Sequence, residues 1–67
     1  MKLTKTQIGT LLHGLRCENR WPGRAWHISH RATARSLCER GLVRLPHPRA
    51  GLLTEEGKAL ATTLQES

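Results

Sequence analysis

Punctuation constrains this chain more than any other feature of its sequence. Gly14, the pair Pro22-Gly23, Gly41 and the run Pro46-His47-Pro48 cut it into short segments. Glycine and proline at such points stop helices or open turns. Each segment has room for one helix or one short strand. The segments share only 67 residues, so a single domain over residues 1–67 is expected, built around one small core. A chain of this size buries only about 60% of its unfolded surface. That leaves little space for a deep substrate cleft and argues against an enzyme.

The residues within each segment predict its type. Thr4 followed by Gln7 is a capping box, and Leu3 with Ile8 forms a hydrophobic staple, so a helix starts here. Ile8, Leu11, Leu12 and Leu15 lie on one helical face, and Gly14 is the expected stop. Gly9 either admits a neighbouring element or weakens the helix by about 1 kcal/mol. Residues 16–25 hold the Pro22-Gly23 turn, with at most one helical turn before it near Trp21. Trp26-His27-Ile28 alternates as a short strand does. A second helix is expected from Ser29, as N-cap, to Arg40, with Ala34, Leu37 and Cys38 inward and Gly41 as its stop. Val43 and Leu45 then share a strand face opposite Arg44. The two prolines make a stiff tip, and Ala50-Gly51-Leu52-Leu53 returns as the hairpin partner. Thr54 caps a last helix whose first-turn Glu55 and Glu56 suit the dipole. Gly57, Leu60, Ala61 and Leu64 form its inner stripe, and Gly57 predicts close packing on the hairpin. The chain has no Phe or Tyr, so Trp21 and Trp26 are expected to supply much of the core. The fold class is α+β, mostly α.

Charge separates the segments by task. All eight arginines fall between residues 16 and 49, against Glu18 and Glu39 alone, for a net of +6 there. Residues 1–15 carry Lys2 and Lys5, and residues 50–67 are net −2 through Lys58 against Glu55, Glu56 and Glu66. Arg carries a planar fork of donors that fits phosphate, so the middle of the chain points to nucleic acid. The second helix sharpens this. His30 and Arg31 sit in its first turn, where the helix dipole disfavours cations, and a docked phosphate would reverse that conflict.

Other chemistries find less support. The longest apolar run is three residues, as at Ala59-Leu60-Ala61, against the roughly 20 of a membrane span, so no membrane partner is expected. The first residues lack the apolar stretch of an export signal. A cytoplasmic, nucleoid-associated protein with reduced cysteines is therefore expected. His13 and Cys17 stand at i, i+4, and His27, His30 and Cys38 are further donors, but their spacing matches no standard zinc pattern. No metal or other cofactor is expected. Catalysis lacks an Asp entirely, the glutamates fall on capping or solvent-facing positions, and no third group orients a Cys17–His13 pair.

Two stretches carry a family resemblance. Thr33-Ala-Arg-Ser-Leu-Cys-Glu-Arg-Gly-Leu-Val-Arg44 resembles the recognition helix and first wing strand of bacterial winged helix-turn-helix DNA-binding domains of the MarR/PadR type, which often read Leu-x-x-Arg-Gly-Leu-Val. Leu53-Thr-Glu-Glu-Gly-Lys-Ala-Leu60 is similar to the segment that follows their wing, commonly Leu-Thr-x-x-Gly-x-x-Leu. Together they cover about residues 29–64. The resemblance implies a small winged helix, a three-helix core with a short β-hairpin wing, acting as a bacterial or phage-type transcriptional regulator on double-stranded DNA. It places the second helix in the major groove, with Ser29, His30, Arg31, Thr33, Arg35 and Ser36 facing the bases. Arg44, His47 and Arg49 become wing contacts, and Lys2 and Lys5 reach a flanking phosphate. A homodimer through the C-terminal helix would give two half-sites. One departure stands out: the family places a separate helix before the recognition helix, and only residues 16–25 are available for it. Two further functions compete, a module that binds a host protein through the same scaffold and RNA binding with the tryptophans as stacking platforms.

Overall fold

A computed structural model describes residues 3–66. It contains α1 (Lys5–Arg20), β1 (Trp26–His27), α2 (Arg31–Glu39), β2 (Val43–His47), β3 (Ala50–Leu53) and α3 (Glu55–Glu66). The fold is thus mostly helical, with one three-stranded antiparallel sheet in the order β1-β3-β2. No helix among the described residues is long and apolar enough to cross a membrane.

The capping box of α1 forms as its sequence predicts. Thr4 Oγ1 accepts from the Gln7 backbone N–H at 3.1 Å, and Gln7 Oε1 accepts from the Thr4 N–H at 2.8 Å. Gly14, however, does not stop the helix, which runs on to Arg20 with Trp21 as its C-cap. Gly14 serves packing instead. A β-carbon at this position would collide with the Trp26 indole, so the glycine lets the ring lie directly on the helix. The missing side chain therefore reflects a tertiary contact, and the polar residues 16–20 extend α1 rather than form a turn of their own. No separate helix stands between α1 and α2 among the described residues.

β1 pairs with β3 through Trp26 opposite Gly51 and His27 opposite Ala50. Gly51 is also sterically required, since a β-carbon there would press on Ile28 Cδ1 and Val43 Cγ1. β2 pairs with β3 from the other side, with an irregularity in register between Arg44 and His47. Pro46 lies in that interval on an edge strand, where its missing N–H costs no ladder bond.

Two corrections concern α2. Its N-cap is His30, not Ser29, and no side chain caps it. Cys38, expected inside, is exposed, while Thr33, expected outside, is buried with Ala34 and Leu37. The stripe is rotated because Leu37 and Ala34 centre it, and Thr33 at i−4 from Leu37 shares their side. The end of α2 follows expectation in full. Gly41 adopts φ +75°, its N–H donates to Cys38 O at 3.0 Å, and Leu42 N–H donates to Leu37 O at 3.0 Å. This is the paired-bond Schellman stop.

The two family-like motifs then lock onto one another. Thr54 Oγ1 donates to Gly41 O at 2.7 Å and accepts from the Gly57 N–H at 3.0 Å. Thr54 N–H donates to Leu42 O at 3.1 Å. A β-carbon on Gly57 would overlap that same Leu42 carbonyl. The close packing foreseen for Gly57 is thus on the residue leading into β2. The core between these elements holds Leu11, Leu15, Trp26, Ile28, Ala34, Leu37, Val43, Leu53 and Ala61, with Leu3, Leu42, Leu45, Leu60 and Leu64 packed at its margin.

Glu18 departs most sharply from a solvent-facing expectation. It is buried, and its Oε2 accepts from the Trp26 indole N–H at 2.9 Å and from the Leu53 backbone N–H at 2.7 Å. Lys58 Nζ lies 3.7 Å from Oε1. One carboxylate therefore ties α1 to β1, β3 and α3.

Candidate nucleic-acid interface

α2 packs its Thr33–Ala34–Leu37 side on the core and turns Arg31, Ala32, Arg35 and Glu39 outward. The hairpin rises beside this outer side. Arg31, Ala32 and Arg35 from α2 and Leu45 and Pro48 from the hairpin line one open groove of about 430 Å³. The hairpin contributes the apolar Leu45 and Pro48 to its lining, and α2 contributes the two arginines.

Arginines outnumber acids on this face, where Arg31 and Arg35 stand with Glu39 alone. Arg35 meets Glu39 at 3.6 Å, with the two side chains 84% and 70% exposed. A pair so exposed contributes roughly 0–1 kcal/mol, so Arg35 exchanges readily to another anion. The start of α2 has neither a side-chain cap nor an acid in its first turn. Its first backbone N–H groups therefore lack an internal acceptor and reinforce the positive end of the helix.

The sequence-derived contact residues divide clearly. Ser29 and His30 just before α2, Arg31 and Arg35 on it, and Arg44, His47 and Arg49 on the hairpin are all exposed. Thr33 is not on this surface, being buried. Ser36 is half-buried and accepts from Gln7 Nε2 at 2.7 Å, which holds α2 against α1. Arg44 lies on the other side of the hairpin, beside Pro46 and Leu52. Lys5 is exposed in the first turn of α1, apart from the groove. Lys2 lies outside the described residues. Arg40 Nη1 is buried and has no hydrogen-bond partner among the described residues.

The tryptophans separate as well. Trp26 is buried, whereas Trp21 is half exposed, with Arg20 Cζ 5.0 Å from the ring centroid. Sequence reasoning put both in the core because the chain has no Phe or Tyr; Trp21 instead lies at the C-cap of the extended α1. Among the described residues, no group of three or more His, Cys, Asp or Glu side chains converges as metal ligands would. Cys17 Sγ lies 3.6 Å from His13 Nε2, the contact that i, i+4 spacing on a continuous helix provides.

Compared with protein-family models, curated proteins and solved structures, the chain matches none.

Proposed function

We propose that this chain is a winged-helix module that binds double-stranded DNA, with α2 as the recognition helix and the β2–β3 hairpin as the wing. The observation that carries the reading is the shared groove. Arg31 and Arg35 from the exposed side of an uncapped helix face it together with Leu45 and Pro48 of the hairpin. Helix and hairpin are thus held side by side, as a major-groove reader and its flanking arm require. The element order helix, strand, helix, hairpin, helix supports the same reading, as does the interlock of the Gly41–Leu42 and Thr54–Gly57 motifs. The helix that usually precedes a recognition helix is missing, so α2 is oriented directly by α1, through the Gln7–Ser36 bond.

In this reading Arg31 and Arg35 meet phosphate or base edges. His30 and Ser29 sit at the helix start, where free N–H groups suit a phosphate. His47 and Arg49 reach the neighbouring backbone. Thr33 and Ser36 hold the helix in place rather than touch DNA. The test is a titration of a random-sequence duplex at several salt concentrations. Neutralising about 4–6 phosphates gives a log–log slope of roughly −3 to −6. Absence of duplex binding at low salt refutes the proposal. Selection from random duplexes in the same buffer then defines the preferred site.

A further inference from the structure

The end of α1 carries a second surface that the α2–hairpin groove does not use. Trp21 is the one large apolar side chain exposed among the described residues, at 50%. Its ring contributes little to the core, and its backbone N–H closes α1 by donating to Cys17 O at 2.8 Å. A smaller residue would serve that role equally well. Arg20 lies over the ring, and Arg16 and Arg24 are exposed nearby in sequence. Glu18 is the only acid before Glu39, and its carboxylate is committed inside the fold to Trp26, Leu53 and Lys58. None of the three arginines makes an ion pair among the described residues. Beside Trp21 runs an open groove of about 400 Å³, walled by His13, Cys17, Arg24 and Trp26.

We infer that this surface is a stacking site for an unpaired nucleotide of a single-stranded nucleic acid, with the base on Trp21 and the flanking phosphates on Arg20 and Arg24. The argument is one of complementary chemistry. An exposed indole asks for a flat, apolar face. Arg20 over one face of the ring and Arg24 in the groove wall, neither in an ion pair among the described residues, ask for anions that accept paired hydrogen bonds. Single-stranded nucleic acid supplies both in every repeat unit, and aromatic side chains set in a basic groove are how proteins hold it without regard to sequence. An acidic peptide supplies the charge, but supplies a flat face only where an aromatic residue happens to fall. The site is built from the end of α1 and the turn after it, so it stands independently of the duplex reading.

Oligothymidylate of about 20 nucleotides bearing a terminal fluorophore is the probe, titrated with the full chain; its anisotropy gives the affinity of the parent and of every variant, and tryptophan fluorescence is recorded alongside. Trp26 is buried but walls the same groove, so the quenching that is lost in Trp21→Ala is the part that reports Trp21. Saturable quenching is expected. Trp21→Ala should weaken the oligonucleotide by roughly tenfold, within the range of one stacked base, and Trp21→Phe should restore most of the loss. Arg24→Ala should weaken it further and flatten the salt dependence. Duplex affinity should be unchanged in Trp21→Ala, and oligothymidylate affinity unchanged in Arg31→Ala, so the two sites fail or stand separately. Absence of quenching, or equal affinity in Trp21→Ala and the parent, overturns the inference. So does an oligoglutamate peptide that quenches Trp21 as strongly as the oligonucleotide, since the surface would then be a protein-docking site.

Discussion

Replacing Glu18 tests the arrangement of the whole domain. A single oxygen, Oε2, satisfies two donors from two strands, the Trp26 indole N–H and the Leu53 N–H. In Glu18→Ala both donors lose their acceptor inside the fold. Each orphaned group costs about 1–3 kcal/mol, so the variant should lose roughly 2–6 kcal/mol. A 67-residue domain has only about 3–10 kcal/mol in total, and the alanine variant is expected at or beyond the edge of folding. Glu18→Gln makes the decisive contrast. Its amide oxygen accepts both donors, so it forfeits only the extra strength of bonds to a charged acceptor, about 1–2 kcal/mol. The lost pairing with Lys58 adds little, because Lys58 is 55% exposed and the contact spans 3.7 Å. Urea unfolding followed by tryptophan fluorescence reads the difference, since Trp26 is itself one of the two partners. Equal destabilisation in the two variants, or a loss below about 1 kcal/mol in Glu18→Ala, would refute the claim that this carboxylate holds the strands to α1.

Further outcomes follow from the same contacts. Gly9 faces open space within α1, so Gly9→Ala should stabilise the protein by about 1 kcal/mol, a rise in melting temperature of roughly 4–8 °C. Gly57→Ala has the opposite sign, because its methyl meets the Leu42 carbonyl; overpacking of this kind costs about 1–3 kcal/mol, read from the same melts. Leu37 is fully buried, and Leu37→Ala should cost about 2–5 kcal/mol in urea unfolding. For duplex binding, Arg31→Ala and Arg35→Ala should weaken affinity more than Lys58→Ala in fluorescence anisotropy, and equal effects from all three would place the binding surface elsewhere.

Local signals in the sequence carried the helix starts and stops. Thr4 with Gln7, Thr54 with Glu55 and Glu56, and Gly41 after Arg40 each act on residues within the same helical turn, so their meaning survives without the fold. Gly14 misleads for the converse reason. A glycine stop and a glycine that admits an indole from twelve residues downstream look alike in one dimension. Trp21 is assigned to the core because the chain has no Phe or Tyr, and Glu18 to solvent because it is charged, although the structure does the reverse. Thr33 and Cys38 exchange places because a nine-residue helix has only two full turns from which to fix the phase of its inner stripe. The basic surface was legible as charge, since all eight arginines sit between residues 16 and 49. Its division into an α2–hairpin groove and a separate surface around Trp21 was not, because it depends on how far α1 extends.

The order of the sheet has a bearing on how copies of this chain meet. β3 is paired on both sides, so only β1 and β2 present free edges. β1 offers two residues, and β2 is broken by Pro46 within its irregular stretch. Neither edge gives a second copy a continuous row of donors and acceptors to zip against, a feature that guards against runaway strand addition. Strand addition at either edge is therefore a disfavoured route to self-association.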